Sequence, residues 1–227
     1  MNNETQFWLS LDVASPKGSV ALHEFRKAGT HHIWSADLSS SQKHSEELLS
    51  VLDEGLRRHS LSLGNIDGVL LPSGPGSFTG LRVGMAYAKA FALHLGKIIE
   101  TLDPSEIRAL SWLASNFSSM PERVLVHAHT GSATGICSVF IPEGRERVRL
   151  DKEEEVGDHA VATGPGTVVL TEAEWPLMAR RMGDFRLKAG RRKQFIGQEQ
   201  IVSLAPTYFG DKRFGLFPPP VKPHPKP

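Results

Sequence analysis

A glycine-rich connection at residues 72–84 limits what this chain can fold into more than any other feature of its sequence. It joins an apolar run at 66–71, typical of a buried strand, to a segment at 79–95 whose apolar residues recur at helical spacing. Glycines at such a connection let the backbone approach a neighbouring group closely. The sequence therefore predicts a strand–turn–helix unit in which something packs directly against the start of the helix.

Two interpretations of the glycine-rich connection differ in which group approaches its backbone. One is a phosphate held at the helix N-terminus. Neither nucleotide-loop spacing is present, however, because Leu81 follows Gly80 where a Walker loop needs lysine, and the glycines miss G-x-G-x-x-G by one residue. The other is close packing, because small residues recur at every fourth position. This stripe consists of Gly80, Gly84, Ala88 and Ala92. It can face the protein's own sheet or a partner helix.

The same connection resembles a family signature. Residues 74–84 (GPGSFTGLRVG) are similar to the signature of the TsaB (YeaZ) family, the dimerisation subunit of the bacterial machinery that makes threonylcarbamoyladenosine in tRNA. Shorter segments agree with it, namely 9–15 (LSLDVAS) with 19–22, 44–49 (HSEELL) and 206–208 (PTY). The resemblance covers residues 7–105 well and the rest of the chain poorly.

Periodicity predicts an α/β protein with mixed sheets. Strands are predicted at 7–13, 19–25, 66–71, 98–101, 124–128, 136–141 and 168–170, with a further candidate at 31–39. Helices are predicted at 44–58, 79–95 and 104–117. The family resemblance implies the two-lobed fold of the actin/Hsp70/sugar-kinase (ASKHA) class with a degenerate second lobe.

The predicted elements and the family resemblance together divide the chain into three regions. An N-terminal lobe at 1–103 carries the partner-binding helices. A smaller, divergent lobe occupies 104–217, and its last helix can pack back on the first lobe. A proline-rich segment at 218–227 is expected to be a mobile tail.

Composition narrows the class of protein. Lysine and arginine number 26 against 25 acidic residues, so the net charge of +1 gives no global attraction to nucleic acid or membrane. The single cysteine, Cys137, excludes an internal disulfide and a paired-cysteine metal motif. The first residues lack a signal-peptide pattern and no apolar run reaches membrane-spanning length, so a cytoplasmic location is expected.

The basic run at 180–193 is predicted to be a solvated face or loop, and direct tRNA contact is the alternative.

Candidate chemical residues are few. Nucleotide-binding members of the superfold carry an aspartate and a glycine-containing turn in the first hairpin; here Asp12 and Ser15 mark a vestigial site, with Ala14 in place of the glycine. Asp12 is expected to hydrogen-bond its own turn, with metal binding as the alternative. The catalytic TsaD family holds its metal with His-x-x-x-His, and no two histidines here are four apart. No catalytic residue, metal site or cofactor is therefore expected.

The resemblance implies a non-catalytic scaffold that pairs with a TsaD-type catalytic subunit. A TsaE-type ATPase would engage the pair, tRNA would be involved indirectly, and a homodimer could form through the same helices. The interface is expected on helices 44–58 and 79–95, where Met85→Arg should abolish pairing without unfolding the chain. The expected contact residues are His44, Leu48, Leu52, Gly80, Leu81, Gly84, Met85, Ala88 and Lys89. The alternative is a nucleotide-dependent, kinase-like phosphotransferase of the same superfold that uses Asp12 and the glycine loop.

Overall fold

Ten strands and five helices form in the parts of the chain that the computed structural model describes, which are residues 5–38, 44–116, 120–129, 134–157, 165–171, 178–186 and 188–205. The strands are β1 (Gln6–Asp12), β2 (Ser19–Arg26), β3 (Gly29–Asp37), β4 (Ile66–Pro72), β5 (Ile98–Leu102), β6 (Arg123–His129), β7 (Thr134–Pro142), β8 (Val148–Gly157), β9 (Thr167–Leu170) and β10 (Lys193–Phe195). The helices are α1 (His44–Arg58), α2 (Phe78–Leu95), α3 (Pro104–Ser115), α4 (Met178–Phe185) and α5 (Gln198–Ser203).

Two mixed sheets organise these elements. The first has six strands in the order β10-β5-β4-β1-β2-β3, and the second has four in the order β8-β7-β6-β9. In the first sheet β1 to β3 form an antiparallel meander, β4 and β5 run parallel to β1, and β10 is antiparallel to β5. In the second, β6 to β8 form another meander and β9 runs parallel to β6. The predicted α/β class with mixed sheets is confirmed.

The ends of α1 and α2 follow from local sequence. Helix α1 has the predicted bounds, with acidic residues in its first turn and Arg57 and Arg58 in its last, where each charge is favoured by the helix dipole. Helix α2 starts after Ser77, whose hydroxyl accepts the Gly80 N–H at 3.3 Å. It ends at Gly96, whose left-handed φ of 64° suits glycine.

The first sheet is covered on both faces. Helices α1 and α2 close an apolar cluster over one face, built on Leu9, Leu11 and Leu22 of the strands. Helices α3 and α4 pack against the opposite face, where Trp8 is the largest buried side chain. Helix α3 also reaches the second sheet through Leu113. Each fully buried leucine contributes about 2 kcal/mol to folding.

The C-terminal part of the chain returns to the first sheet. Helix α4 packs on β1, β2 and β3, β10 pairs with β5, and α5 packs on α2. The sequence predicts a second lobe at 104–217 whose last helix can pack back on the first lobe; in the structure β6 to β9 form the second sheet, and residues 178–186 and 188–205 pack with the first. The reason is apolar burial, because Met178, Ala179 and Met182 lie within the cluster on the α3/α4 face. The predicted tail at 218–227 and the segment 206–208 lie outside the described residues.

Candidate functional site

The small-residue stripe of α2 faces the protein's own sheet. A Cβ added to Gly80 would lie 2.7 Å from the Ala14 Cα and still closer to the Val13 carbonyl oxygen. A Cβ added to Gly84 would meet the Val13 side chain, whose Cγ2 would lie 3.1 Å away, and Ala88 is fully buried. Only glycine allows α2 to approach the turn after β1 this closely. Of the two interpretations of the stripe, the structure therefore supports packing against the chain's own sheet.

Most of the predicted contact residues lie inside the lobe. Leu48, Leu52, Leu81 and Met85 are buried, as are Gly80, Gly84 and Ala88. These side chains are unavailable to a partner while the lobe keeps this packing. Met85→Arg would consequently place a guanidinium in the core, and it would not test an interface.

The last two predicted contact residues differ from these. Lys89 is half-buried, and its Nζ donates to the Val202 carbonyl oxygen of α5 at 2.9 Å, while burial lowers the pKa of its amine. His44 begins α1, but its side chain lies outside the described part of the structure. Lys89 therefore has a role within the chain, because it binds a carbonyl at the C-terminal end of α5.

The outward face of α2 mixes apolar and polar side chains, because Thr79, Arg82 and His94 are exposed on it beside apolar residues. Arg82 and Lys89 are the two charged residues of the helix. Leu93 is 41% exposed, and Ala86 and Ala90 are exposed beside it. Sequence reasoning missed these outward residues, although the scarcity of charge in α2 was the signal that could have found them.

Helix α1 contributes a second apolar area on the same side of the sheet. Leu49 is 46% exposed, and Val51 is half-buried against the cluster that α1 and α2 share. Val83 and Tyr87 of α2 are half-buried against that cluster too. We use the name helix surface for these exposed or half-buried apolar side chains of α1 and α2 taken together. It consists of Leu49, Val51, Val83, Ala86, Tyr87, Ala90 and Leu93.

The vestigial nucleotide residues form a closed turn. Asp12 is fully buried, and its Oδ1 accepts the backbone N–H groups of Ala14 at 2.9 Å and Ser15 at 3.0 Å. Burial raises the pKa of the Asp12 carboxyl, and these hydrogen bonds oppose the rise. The expectation that Asp12 hydrogen-bonds its own turn is confirmed. Within the described ranges, no three His, Cys, Asp or Glu side chains converge as a metal site would require.

The basic run at 180–193 binds carboxylates of this chain. Arg186 donates to Glu100 Oε2 from Nε at 3.0 Å and from Nη2 at 2.9 Å, and its guanidinium carbon lies 3.7 Å from the Trp8 ring centroid. The Glu100 side chain is almost fully buried and Arg186 is only 8% exposed. The predicted solvated face or loop is wrong for Arg186, because a buried carboxylate on β5 draws it inward.

A histidine pocket lies on the same face of the sheet. His23 of β2 is fully buried, its ring meets Gly183 of α4, and its Nε2 lies 3.4 Å from the Ala179 carbonyl oxygen. The His32 ring centroid is 5.8 Å away. Burial, aided by His32, lowers the pKa of His23 to about 3, so the imidazole is neutral near physiological pH.

Sequence comparison links this architecture to known proteins. The family model for TsaD, tRNA N6-adenosine threonylcarbamoyltransferase, matches residues 38–129. The tRNA threonylcarbamoyladenosine biosynthesis protein TsaB of Haemophilus influenzae is 32% identical over 106 residues, which are 47% of this chain and 42% of that protein. A tRNA N6-adenosine threonylcarbamoyltransferase of Syntrophotalea carbinolica is 41% identical over 56 residues, 25% of this chain and 16% of the relative. The match thus spans less than half the length of these curated relatives.

Solved structures share the fold over a larger part of the chain. A Pseudomonas aeruginosa protein described as similar to peptidase YEAZ superposes with a TM-score of 0.67 at 18% identity, over 89% of this chain and 99% of that one. YeaZ from Pseudomonas aeruginosa gives a TM-score of 0.56 at 20% identity, over 72% of this chain and 75% of its own. None of the helices described here has the length and apolarity needed to cross a membrane. The resemblance predicted from residues 74–84 is thus confirmed: the chain is similar in sequence to TsaB and TsaD proteins over less than half of its length, and it shares the fold of the YeaZ structures, the predicted ASKHA-like fold.

Proposed function

We propose that this chain is a non-catalytic scaffold subunit that pairs with a TsaD-type catalytic subunit in the N6-threonylcarbamoyladenosine modification of tRNA. A TsaE-type ATPase engages the assembled pair. The observation that carries the proposal is the apolar helix surface on α1 and α2. Exposed apolar patches of this kind are typical of protein interfaces.

The position of the sequence match supports the same surface. The matched residues, 38–129, contain both helices completely. Because the inner faces of these helices already fill the core, a partner would meet their outer faces. The contact is therefore proposed at Leu49, Val83, Ala86, Ala90 and Leu93 in place of the buried residues predicted from sequence.

The environment of Asp12 supports a non-catalytic role over the kinase-like alternative. A carboxylate that organises a metal ion and phosphates needs oxygens open to them, but Asp12 is fully buried and one of its oxygens accepts two backbone N–H groups of its turn. The start of α2 also lies against Val13 and Ala14, where a phosphate would approach.

The test is co-purification of this chain with the TsaD of its own organism, followed by sedimentation of the mixture. Ala90→Arg places a charge in the middle of the helix surface without touching the core, because Ala90 is exposed. Ala28→Arg is the matched control, since Ala28 is exposed in the turn between β2 and β3. We expect Ala90→Arg to weaken the complex at least about 30-fold, as loss of a central contact does, and Ala28→Arg to leave it unchanged.

Two results would contradict the proposal. Equal binding by both arginine variants would exclude the helix surface as the interface. Failure of the parent chain to bind TsaD, together with saturable ATP binding that Asp12→Ala removes, would favour the kinase-like alternative. Sedimentation of the chain alone tests the homodimer through the same surface, which Ala90→Arg should convert to a monomer.

A further inference from the structure

Three buried carboxylates line the corner between β5 and α3. Glu100, Asp103 and Glu106 are spaced three residues apart, and each is at most 3% exposed. Buried carboxylates require charged or hydrogen-bonding partners. Their described partners include Arg186, Gly190, Arg191 and Arg192, and we name residues 186 and 188–192 the strap.

Two contacts fix the strap to the first lobe. The Glu106 carboxylate accepts the Gly190 N–H at 2.8 Å and the Arg191 N–H at 2.9 Å, one on each oxygen. Arg186 binds Glu100 through two nitrogens, as described above. Hydrogen bonds to a buried carboxylate are strong because the acceptor is charged. The strap is therefore held to α3 by backbone atoms and to β5 by side-chain atoms.

Other strap residues reach the second lobe. The Arg191 guanidinium forms an ion pair with Asp103, and its Nη1 lies 3.5 Å from Glu153 Oε1 on β8. The same Glu153 oxygen accepts the Ser138 hydroxyl of β7 at 3.0 Å. Lys188 Nζ lies 2.6 Å from Glu146 in the turn between β7 and β8. Arg191 thus stands between a carboxylate of the first lobe and a carboxylate of the second.

We infer that the strap sets the angle between the two lobes, with Arg191 as the bridge that joins Asp103 to Glu153. Relative motion of two lobes is the default unless the interface between them is large and hydrophobic. A bridge at the edge of both sheets opposes rotation about α3, which connects them. This inference concerns the chain alone and is independent of the proposed function.

The neighbouring arginine provides a matched control. Arg191 and Arg192 have similar side-chain exposure, 38% and 43%. Arg192 contacts Glu100 at 3.4 Å, within the first lobe, while Arg191 also contacts the second lobe. Replacing each by alanine removes a half-exposed arginine in both cases, but only Arg191→Ala removes the bridge.

Distances between the lobes test the inference by pulsed electron paramagnetic resonance. Spin labels are placed at Ala28→Cys in the first lobe and Arg147→Cys in the turn between β7 and β8, which are both exposed. The native Cys137 is buried, and label uptake by the otherwise unchanged chain checks that it stays unmodified. Thermal unfolding of each variant shows that the chain remains folded.

We expect a single narrow distance distribution in the parent, a clearly broader or shifted one in Arg191→Ala, and an unchanged one in Arg192→Ala. Glu153→Gln removes the other end of the bridge, so it should reproduce the effect of Arg191→Ala. The inference is overturned if the Arg191→Ala and Glu153→Gln distributions superimpose on that of the parent. It is also overturned if Arg192→Ala broadens the distribution as much as Arg191→Ala does.

Discussion

The two faces of the first sheet are built from different chemistry, although the same strands supply both. Along β1, Leu9 and Leu11 point to the α1/α2 face, while Ser10 and Asp12 point to the α3/α4 face. The first face is closed by apolar side chains and small residues. The second buries a histidine, several carboxylates and two arginines, Arg108 and Arg186. One sheet therefore combines a conventional core with a polar interior.

The two faces of the sheet differ in how many contacts share the folding stability. On the α1/α2 face, many apolar contacts contribute modestly and a well-fitting replacement can substitute for each. On the α3/α4 face, each buried charge depends on one or two specific partners, so loss of one partner leaves the other uncompensated. The polar face is thus the more sensitive of the two to single substitutions.

Removal of Arg186 should give the largest effect. Arg186→Met leaves the buried Glu100 carboxylate with Arg192 at 3.4 Å as its remaining arginine, and the expected loss is about 4 kcal/mol of unfolding free energy. Chemical denaturation measures it. The double variant Arg186→Met/Glu100→Gln removes both charges, so it should be more stable than the single variant. A single-variant loss below about 1 kcal/mol would contradict the view that this face depends on paired charges.

The apolar face should fail by steric overlap rather than by loss of charge. Gly80→Ala brings a methyl group against the backbone at Val13 and Ala14, and we expect a loss of about 3 kcal/mol. In Gly84→Ala the new Cβ meets a movable atom, Val13 Cγ2, at 3.1 Å. Alanine's higher helix propensity offsets that strain, so the change should stay within about 1 kcal/mol. Similar melting temperatures for the two variants would argue against close backbone packing at Gly80.

His23 should make the polar face sensitive to acid. Its folded-state pKa is lowered from 6.5 to about 3, so the unfolded chain takes up the proton first and stability is lost as pH falls through this range. From pH 6.5 to pH 5 the expected loss is about 1.5 kcal/mol. Urea unfolding at several pH values measures the slope, which should be smaller in His23→Asn. An unchanged slope in that variant would assign the acid sensitivity to other groups.

Asp103 should have the opposite effect on the pH dependence of stability, because its ionisation destabilises the folded chain as the pH rises. Burial raises its folded-state pKa from 3.8 to about 6, against the effect of Arg191, so its contribution to stability falls as pH rises through this window. Asp103→Asn keeps a side chain that can cap α3 but cannot ionise. Its gain in stability between pH 5 and pH 6 should exceed that of the parent by about 1 kcal/mol. Parallel curves for the two proteins would show that Asp103 does not titrate in this window.

Local signals explain which parts of the fold were predictable. The bounds of α1 follow from leucines at every fourth position and from charges at both ends, all within one short segment. Helices α4 and α5 have only eight and six residues and β10 has three, which is too short for a reliable periodic pattern. Arg186 and Glu100 are 86 positions apart, and an arginine-rich run resembles a surface segment until its partner is known.

The candidate site was predictable at the level of helices but not of side chains. The sequence predicts helices at 44–58 and 79–95, but Leu81 and Met85, which it proposes as contact residues, are buried in the lobe. Apolar residues, among them Ala86, Ala90 and Leu93, also lie on the outer side of this helix, so hydrophobic periodicity gives little information on which side faces the sheet. The deciding fact is three-dimensional, namely the close approach of Gly80 to the turn at Val13 and Ala14.

The return of the chain to the first sheet has a consequence for synthesis on the ribosome. Strand β5 is made early, but β10 and the strap emerge only after the whole second lobe has been translated. Until then, Glu100 lacks Arg186 and Glu106 lacks the backbone N–H groups of Gly190 and Arg191. Domains commonly fold in the order in which they are made. Here the lobe that is begun first is completed last, and a nascent chain that stops before α4 exposes the polar face of its sheet.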